Sequence, residues 1–304
     1  MATPLTQGNA AALRVRCPAK INLGLWILGK RPDGYHEIDT ILQTIALEDE
    51  ITLEPARDGL VLTTRGIPIP GDAPNLVTRA WDLLVERAGG ALPRGIRATL
   101  TKRIPVGAGL GGGSSDAAGF LLGADRLLGL ALPQDELHAL AARLGSDVPF
   151  FLKGGTARAT GRGELVRQLC PMDPLWIVLV TPPVAISTTW AYGQVKMRLT
   201  RNDNRATFLE SALASRRLDA ALVEMRNDFE DVVLPGLPVL AALRHALIGG
   251  GAVKVLLAGS GSTLFGIQRT REDAFRLAKG VAGRGAQVRV VRTLERGAVV
   301  APLR

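Results

Sequence analysis

The run Pro105-Val106-Gly107-Ala108-Gly109-Leu110-Gly111-Gly112-Gly113-Ser114-Ser115 constrains this chain more than any other stretch. Five of the seven positions from 107 to 113 are glycine. Without a Cβ, such a backbone reaches positive φ and lets a ligand come close. The next segment reads as a helix. Ser114 or Ser115 is placed to cap it, Asp116 suits its first turn, and Phe120, Leu121, Ala124, Leu127 and Leu128 recur at helical spacing before Gly129 stops it. A helix start offers unpaired N–H groups and the positive end of the macrodipole. Loop and helix together predict an anion site, most naturally for phosphate. A strand over residues 95–104 leads into it.

Two common phosphate motifs are excluded. A Walker A loop ends in Gly-Lys-Ser/Thr, and Gly113-Ser114-Ser115 has no lysine. Gly107, Gly109 and Gly112 fit Gly-x-Gly-x-x-Gly, but no dinucleotide-binding unit surrounds them.

Pro-x-Gly-x-Gly-Leu-Gly-Gly-Gly-Ser-Ser resembles the phosphate loop of the GHMP kinases, which phosphorylate small molecules with ATP. The resemblance extends to CPAKINLGLWILGKRPDGYHEIDTILQTI (Cys17 to Ile45), Asn75-Leu76-Val77, residues 145–151 and 154–164, Asn227-Asp228-Phe229-Glu230 and residues 257–265. These motifs are similar to a branch of the family acting on a cytidyl diphosphate-linked alcohol in isoprenoid precursor synthesis.

Composition agrees. A chain of 304 residues with 47% hydrophobic and 21% charged residues can bury a substantial core. No apolar run is long enough for a membrane span, and residues 1–16 lack the apolar core of a secretory signal. Two cysteines, Cys17 and Cys170, give no disulfide framework or metal spacing, so inert thiols and a cytoplasmic location are expected. The net charge of +9 comes from scattered arginines, with aromatics at only 4%. That argues against nucleic acid and for a surface that gathers nucleotide phosphates, or for a basic composition with no specific role.

The pattern predicts a mixed α and β chain. A long strand over 13–28, a hairpin over 50–64 turning at Asp58-Gly59, a helix over 75–88 with Leu76, Ala80, Leu83 and Leu84 on one face, and a helix over 133–144 come first. A strand at 175–180, helices at 204–226 and 236–248, strands within 252–267, a helix at 271–283 and a strand at 286–293 complete the chain. The resemblance implies an α+β, two-domain GHMP kinase fold. Residues 1–168 would form a unit like the second domain of ribosomal protein S5, and residues 169–304 a ferredoxin-like unit, with the active site between them.

Lys20 and Asn22 stand two apart in a strand, so they share a face. On spacing alone Lys20 is a solvated strand lysine, and Asp147, before Val148-Pro149, is a helix cap. The resemblance gives both a role: Asp147 as the base that takes the hydroxyl proton, Lys20 as the ammonium that stabilises developing charge, with Asn22 at the substrate. It places Tyr35, His36 and Tyr192 around the cytosine. It places Asn75, which is equally a helix cap, and Lys102 near the adenine, and residues 259–262 against the site. Ser146 stands where alanine is commoner. ATP implies Mg²⁺, for which Ser114 and Ser115, then Asp116, are the nearest oxygens; no carboxylate cage is evident. A monomer or weak homodimer is expected, with ATP and a cytidyl diphosphate substrate as ligands. Two rivals are another GHMP kinase (homoserine, mevalonate or sugar) and a non-catalytic nucleotide- or RNA-binding protein on the same fold.

Overall fold

Alternating apolar residues after Leu13 build one long strand, and the next long strand turns back along it. A computed structural model describes residues 12–70, 75–90, 92–195 and 204–303. Most of the segment read as lacking a secretory signal, residues 1–11, lies outside the described residues. The elements are β1 (Leu13–Lys30), β2 (His36–Ala56), β3 (Leu60–Gly66), α1 (Leu76–Arg87), β4 (Gly95–Lys102), α2 (Gly112–Leu128), α3 (Gln134–Leu144), α4 (Val148–Lys153), β5 (Thr156–Gly161) and β6 (Leu165–Gln168). Then come β7 (Trp176–Thr181), α5 (Thr188–Gln194), α6 (Arg205–Ala214), α7 (Leu218–Glu224), α8 (Glu230–Gly236), α9 (Pro238–Gly249), β8 (Lys254–Leu257), β9 (Leu264–Gln268), α10 (Arg271–Val281), β10 (Gln287–Arg292) and β11 (Val299–Pro302).

Seven strands form one sheet along the path β11-β1-β2-β4-β3, with β5 and β6 added beside β2; four form a second sheet, β10-β7-β9-β8. The expected hairpin at Asp58-Gly59 is a turn only. β3 pairs in parallel with β4 (Leu60 opposite Ile96), while β2 takes the other edge of β4. A turn signal fixes a reversal, not the partner of the strand that comes after it. A division at 168/169 falls between the two sheets, yet β11 returns to pair with β1, so the end of the chain belongs to the larger sheet.

Helix α2 packs on β1 and β2 and touches α1, α3 and α4. Its approach to the sheet is close: a Cβ on Gly119 would lie 2.5 Å from Cys17 Sγ, and one on Gly123 2.4 Å from Leu53. Phe120, Leu121, Phe150 and Phe151 are fully buried around it, each worth about 1.5–3 kcal/mol for a side chain of this size. The core thus holds α2 and the glycine loop before it against β1, the strand that carries Lys20. In α1 the buried face is Val77, Ala80, Trp81 and Leu84, with Leu76 and Leu83 only partly covered. The stretch 204–226 divides into α6 and α7 at Arg216, whose φ is 53°. Burial pushes the Cys17 thiol up, with the Asp116 charge second, whereas Cys170 is exposed. Among the described residues no single helix is long and apolar enough to cross a membrane.

Candidate active site

A cavity of about 910 Å³ runs between the glycine loop, β1, β2, α5 and the loop between β8 and β9. The helix beyond the glycine loop starts earlier than expected. Gly111 is the N-cap residue with φ 70°, and α2 begins at Gly112, so Ser114 and Ser115 lie inside the first turn and neither caps it. Gly107, Gly109 and Gly111 all have φ between 68° and 78°, a region that other residues adopt only with strain. Gly109 has a second reason to be glycine: a Cβ there would meet the Ala258 carbonyl oxygen at 1.8 Å. The loop is pinned on both sides. Thr263 N–H donates to the Ala108 carbonyl (3.2 Å), and Lys20 N–H donates to the Leu110 carbonyl (2.9 Å). Gly112, Gly113 and Ser114, at the start of α2 where N–H groups lack helical partners, line the cavity.

Beneath this helix start lies a buried charge cluster that no sequence pattern announces. The Lys102 ammonium is bound to Asp49 and, at 2.6 Å, to Asp116; all three side chains are at most 3% exposed. Asp49 also accepts from Ile104 N–H at 2.8 Å. The cluster joins β2, β4, the loop entry and α2. Lys102, expected near the adenine, lines the cavity but has its ammonium held from below. Asp116 does not serve the helix start; it completes the cluster. Burial pushes its carboxyl up to about 7 with help from the Asp49 charge, although Lys102 pulls the other way. One ammonium cannot fully compensate two buried carboxylates.

Lys20, Asn22 and Asp147 meet at the other side of the loop. Lys20 Nζ donates to Asn22 Oδ1 at 2.8 Å and lies 3.5 Å from Asp147 Oδ2. Lys20 and Asn22 are buried, while the Asp147 side chain is 34% exposed and lines the cavity. Asp147 does stand at the N-cap of α4, yet its side chain makes no capping bond. Its carboxylate faces Lys20 instead. Asn75, by contrast, does cap: its Oδ1 accepts from Val77 N–H at 2.9 Å, and the residue lines the cavity as well.

The far end of the cavity is aromatic. His36 stacks on Tyr192 with ring centroids 4.6 Å apart and an angle of 19°, and Tyr192 meets Phe229 edge-on at 4.8 Å. The stack covers a face of Tyr192 that was expected to be open to a base. Tyr35 is more than half exposed, and the Arg162 guanidinium sits 4.6 Å over its ring. Burial, then the Lys30 charge, lowers the His36 pKa below its usual value, so the imidazole is neutral at pH 7 and carries one donor and one acceptor. Burial and the Asp147 charge push the Tyr192 hydroxyl up to about 12.

Asn227 falls in a motif of the resemblance, but the sequence gives it no role of its own. Its Nδ2 donates to the Leu257 and Gly259 carbonyls (2.8 and 2.7 Å), which fixes the β8–β9 loop against the site. Arg162 likewise lies in a matching segment with no role expected of it, and neither Asp49 nor Thr40 stands out in the sequence.

The chain is a small-molecule kinase of the GHMP class: the family model of the GHMP kinases N terminal domain matches residues 75–155, and its relatives are kinases of that class. The chain is 42% identical to the 4-diphosphocytidyl-2-C-methyl-D-erythritol kinase of Symbiobacterium thermophilum, over 93% of this chain and all of that one. A crystal structure of 4-(cytidine 5'-diphospho)-2C-methyl-D-erythritol kinase superimposes with a TM-score of 0.79 at 35% identity, covering 92% of this chain and 98% of that one. Homoserine kinase from Cytophaga hutchinsonii shares the fold (TM-score 0.77, 18% identity, 99% and 100% covered). The chain therefore belongs to the family of 4-diphosphocytidyl-2-C-methyl-D-erythritol kinases.

Proposed function

We propose that this protein transfers the γ-phosphoryl group of ATP to the 2-hydroxyl of 4-diphosphocytidyl-2-C-methyl-D-erythritol. The observation that carries the reading is the Lys20–Asp147 pair, 3.5 Å apart, set beside an anion-binding helix start in one cavity with an aromatic far end. Asp147 takes the proton of the attacking hydroxyl. Lys20 stabilises the charge that develops on the alkoxide and the transferred phosphoryl group. The bond from the γ-phosphorus to the bridging oxygen breaks as the new P–O bond forms, and ADP leaves. Phosphoryl transfer needs mainly position and charge stabilisation, and the loop backbone with the start of α2 supplies the cradle.

The residues present fit a magnesium ion that keeps most of its waters. Asp116 Oδ1 and Ser115 Oγ are buried without hydrogen-bond partners, and Asp116 and Ser114 line the cavity at the phosphate end. Mg²⁺ held there would neutralise phosphate charge. Among the described residues no group of three metal-ligating side chains forms a protein cage.

Tyr35, His36 and Tyr192 hold the cytosine in this reading, with neutral His36 offering a donor and an acceptor to the base edge. Asn75 lies toward the adenine. A monomer or weak homodimer and a cytoplasmic location, where free ATP is at hand as co-substrate, complete the reading. The division into units at 168/169, with β11 returning, leaves the cavity between the two sheets.

An ADP-release assay with the cytidyl alcohol, homoserine and mevalonate side by side tests the reading. Turnover of the cytidyl alcohol alone is expected. Equal or better turnover of homoserine or mevalonate, or none of any, overturns it.

A further inference from the structure

The ammonium that faces the reacting groups is held by a residue that is itself held. Asn22 Oδ1 accepts from two donors that have nothing else to offer, Lys20 Nζ at 2.8 Å and Gly259 N–H at 3.1 Å. Its Nδ2 donates to Thr40 Oγ1 at 2.9 Å, and Thr40 Oγ1 donates to the Gly24 carbonyl at 2.7 Å. A hydroxyl has one hydrogen. Once that hydrogen goes to Gly24, Thr40 can only accept from Asn22. The amide is thereby oriented: NH₂ toward Thr40, oxygen toward Lys20 and Gly259. A flipped amide would set two donors against an ammonium and a peptide N–H. Lys20, Asn22 and Thr40 line the cavity yet are each at most 4% exposed, so a lost partner leaves a largely buried polar group short of a bond.

The backbone makes room for this chain of bonds. β1 slips one residue against β2 between Asn22 and Gly24, and beyond the slip Leu25 stands opposite Thr40. Leu25 also pairs with the segment between α7 and α8 through Arg226 and Asp228. Gly259, the second donor to Asn22, is gripped at its carbonyl by Asn227. One amide thus sets both the Lys20 ammonium and the loop that closes on Gly109.

We propose that Thr40 is a positioning residue for phosphoryl transfer: by fixing the Asn22 amide it sets the Lys20 ammonium between Asn22 and Asp147. This rests on the reading of the site as a kinase centre. It also gives Asn22, which lines the cavity with one amide hydrogen beyond its bond to Thr40, a second task as the support of Lys20.

The test compares Thr40→Val, Thr40→Ala and Thr40→Ser by steady-state kinetics with ATP and the cytidyl alcohol, with thermal unfolding run on each. Thr40→Val keeps shape but no hydroxyl, and about a tenfold fall in kcat is expected, with KM for the cytidyl alcohol within about twofold. Thr40→Ser should restore kcat to within about threefold of the parent. A change of packing alone would not be repaired by the smaller serine. If Thr40→Val does not fold, Thr40→Ala and Thr40→Ser still differ by one hydroxyl, and equal kcat for the two overturns the proposal. Asn22→Ala and Thr40→Val should be non-additive, the double variant losing no more than Asn22→Ala alone; losses that multiply overturn it. A readout without turnover separates this from the functional reading. The Asn22 Nδ2 resonances should shift in Thr40→Val and return in Thr40→Ser even if another alcohol proves to be the substrate. Unmoved resonances in a folded Thr40→Val contradict the proposal, whereas an inactive parent with the expected shifts contradicts only the assigned reaction.

Discussion

The two ends of the cavity are built differently. At the end proposed for phosphoryl transfer, Lys20 and Asn22 are buried in a hydrogen-bond chain, and the loop above them is pinned by Leu110 and Ala108 carbonyls. At the end proposed for the base, Tyr35 is largely exposed and Arg162 lies on its ring, while His36 and Tyr192 cover each other. The first end is complete before any ligand arrives. The second uses for itself a face that a base would need. Charge stabilisation demands fixed donors, whereas recognition of a flat, apolar ring tolerates rearrangement. The contrast predicts that changes at the transfer end act on kcat, and changes at the base end mainly on KM.

The largest effect should come from Asp147→Asn, which keeps shape but cannot take a proton. We expect kcat about 10²-fold lower or less still, with KM for the cytidyl alcohol near the parent value. Near-native kcat in pre-steady-state and steady-state assays would return Asp147 to a structural role at the start of α4.

Next comes Tyr192→Ala. Base stacking is worth about 1–3 kcal/mol, so KM should rise about 5- to 150-fold. Part of the loss can reach kcat, because remote binding energy helps orient the hydroxyl. A kcat effect larger than the KM effect would break the contrast.

The cluster under the loop should show its effect in stability instead. The Asp116 carboxyl is raised from its unfolded value near 3.8 to about 7. The folded protein therefore binds the extra proton, and this contribution to stability is present below about pH 4 and lost as pH rises toward 7. The slope is at most about 1.4 kcal/mol per pH unit for one proton. Asp116→Asn should flatten the stability profile between pH 4 and 7 in chemical denaturation. An unchanged slope would assign it to other carboxyls.

The smallest effect is expected at Arg162→Met. An exposed cation–π contact is worth about 0.5–1 kcal/mol. KM for the cytidyl alcohol should change about two- to fivefold, with kcat unchanged in the same kinetic runs. A loss in kcat instead would tie Arg162 to the transfer end.

The transfer end was partly legible in the sequence because its parts are local. Five glycines before a helix announce an anion site, and Lys20 and Asn22 stand two apart on one strand. The family resemblance then lifted Asp147 out of its reading as a cap. What was illegible depends on pairing. Asp49 meets Lys102 because β2 lies beside β4, and no spacing along the chain announces that. Thr40 reaches Asn22 only after β1 slips a residue on β2. The placement of β3 outside β4 was hidden for the same reason, since its alternation suits either partner. Tyr35, His36 and Tyr192 line the cavity, but the stack between His36 and Tyr192 needed α5 to be placed.

The central claim is that the two ends work separately, and one set of calorimetric titrations tests it most directly. CDP and ATP are titrated separately into the parent, Asp147→Asn, His36→Ala and Tyr192→Ala. Asp147→Asn should bind CDP about as tightly as the parent, His36→Ala and Tyr192→Ala more weakly, and all should keep ATP affinity near the parent value. If His36→Ala and Tyr192→Ala bind CDP normally and lose ATP, the two ends have been assigned the wrong way round.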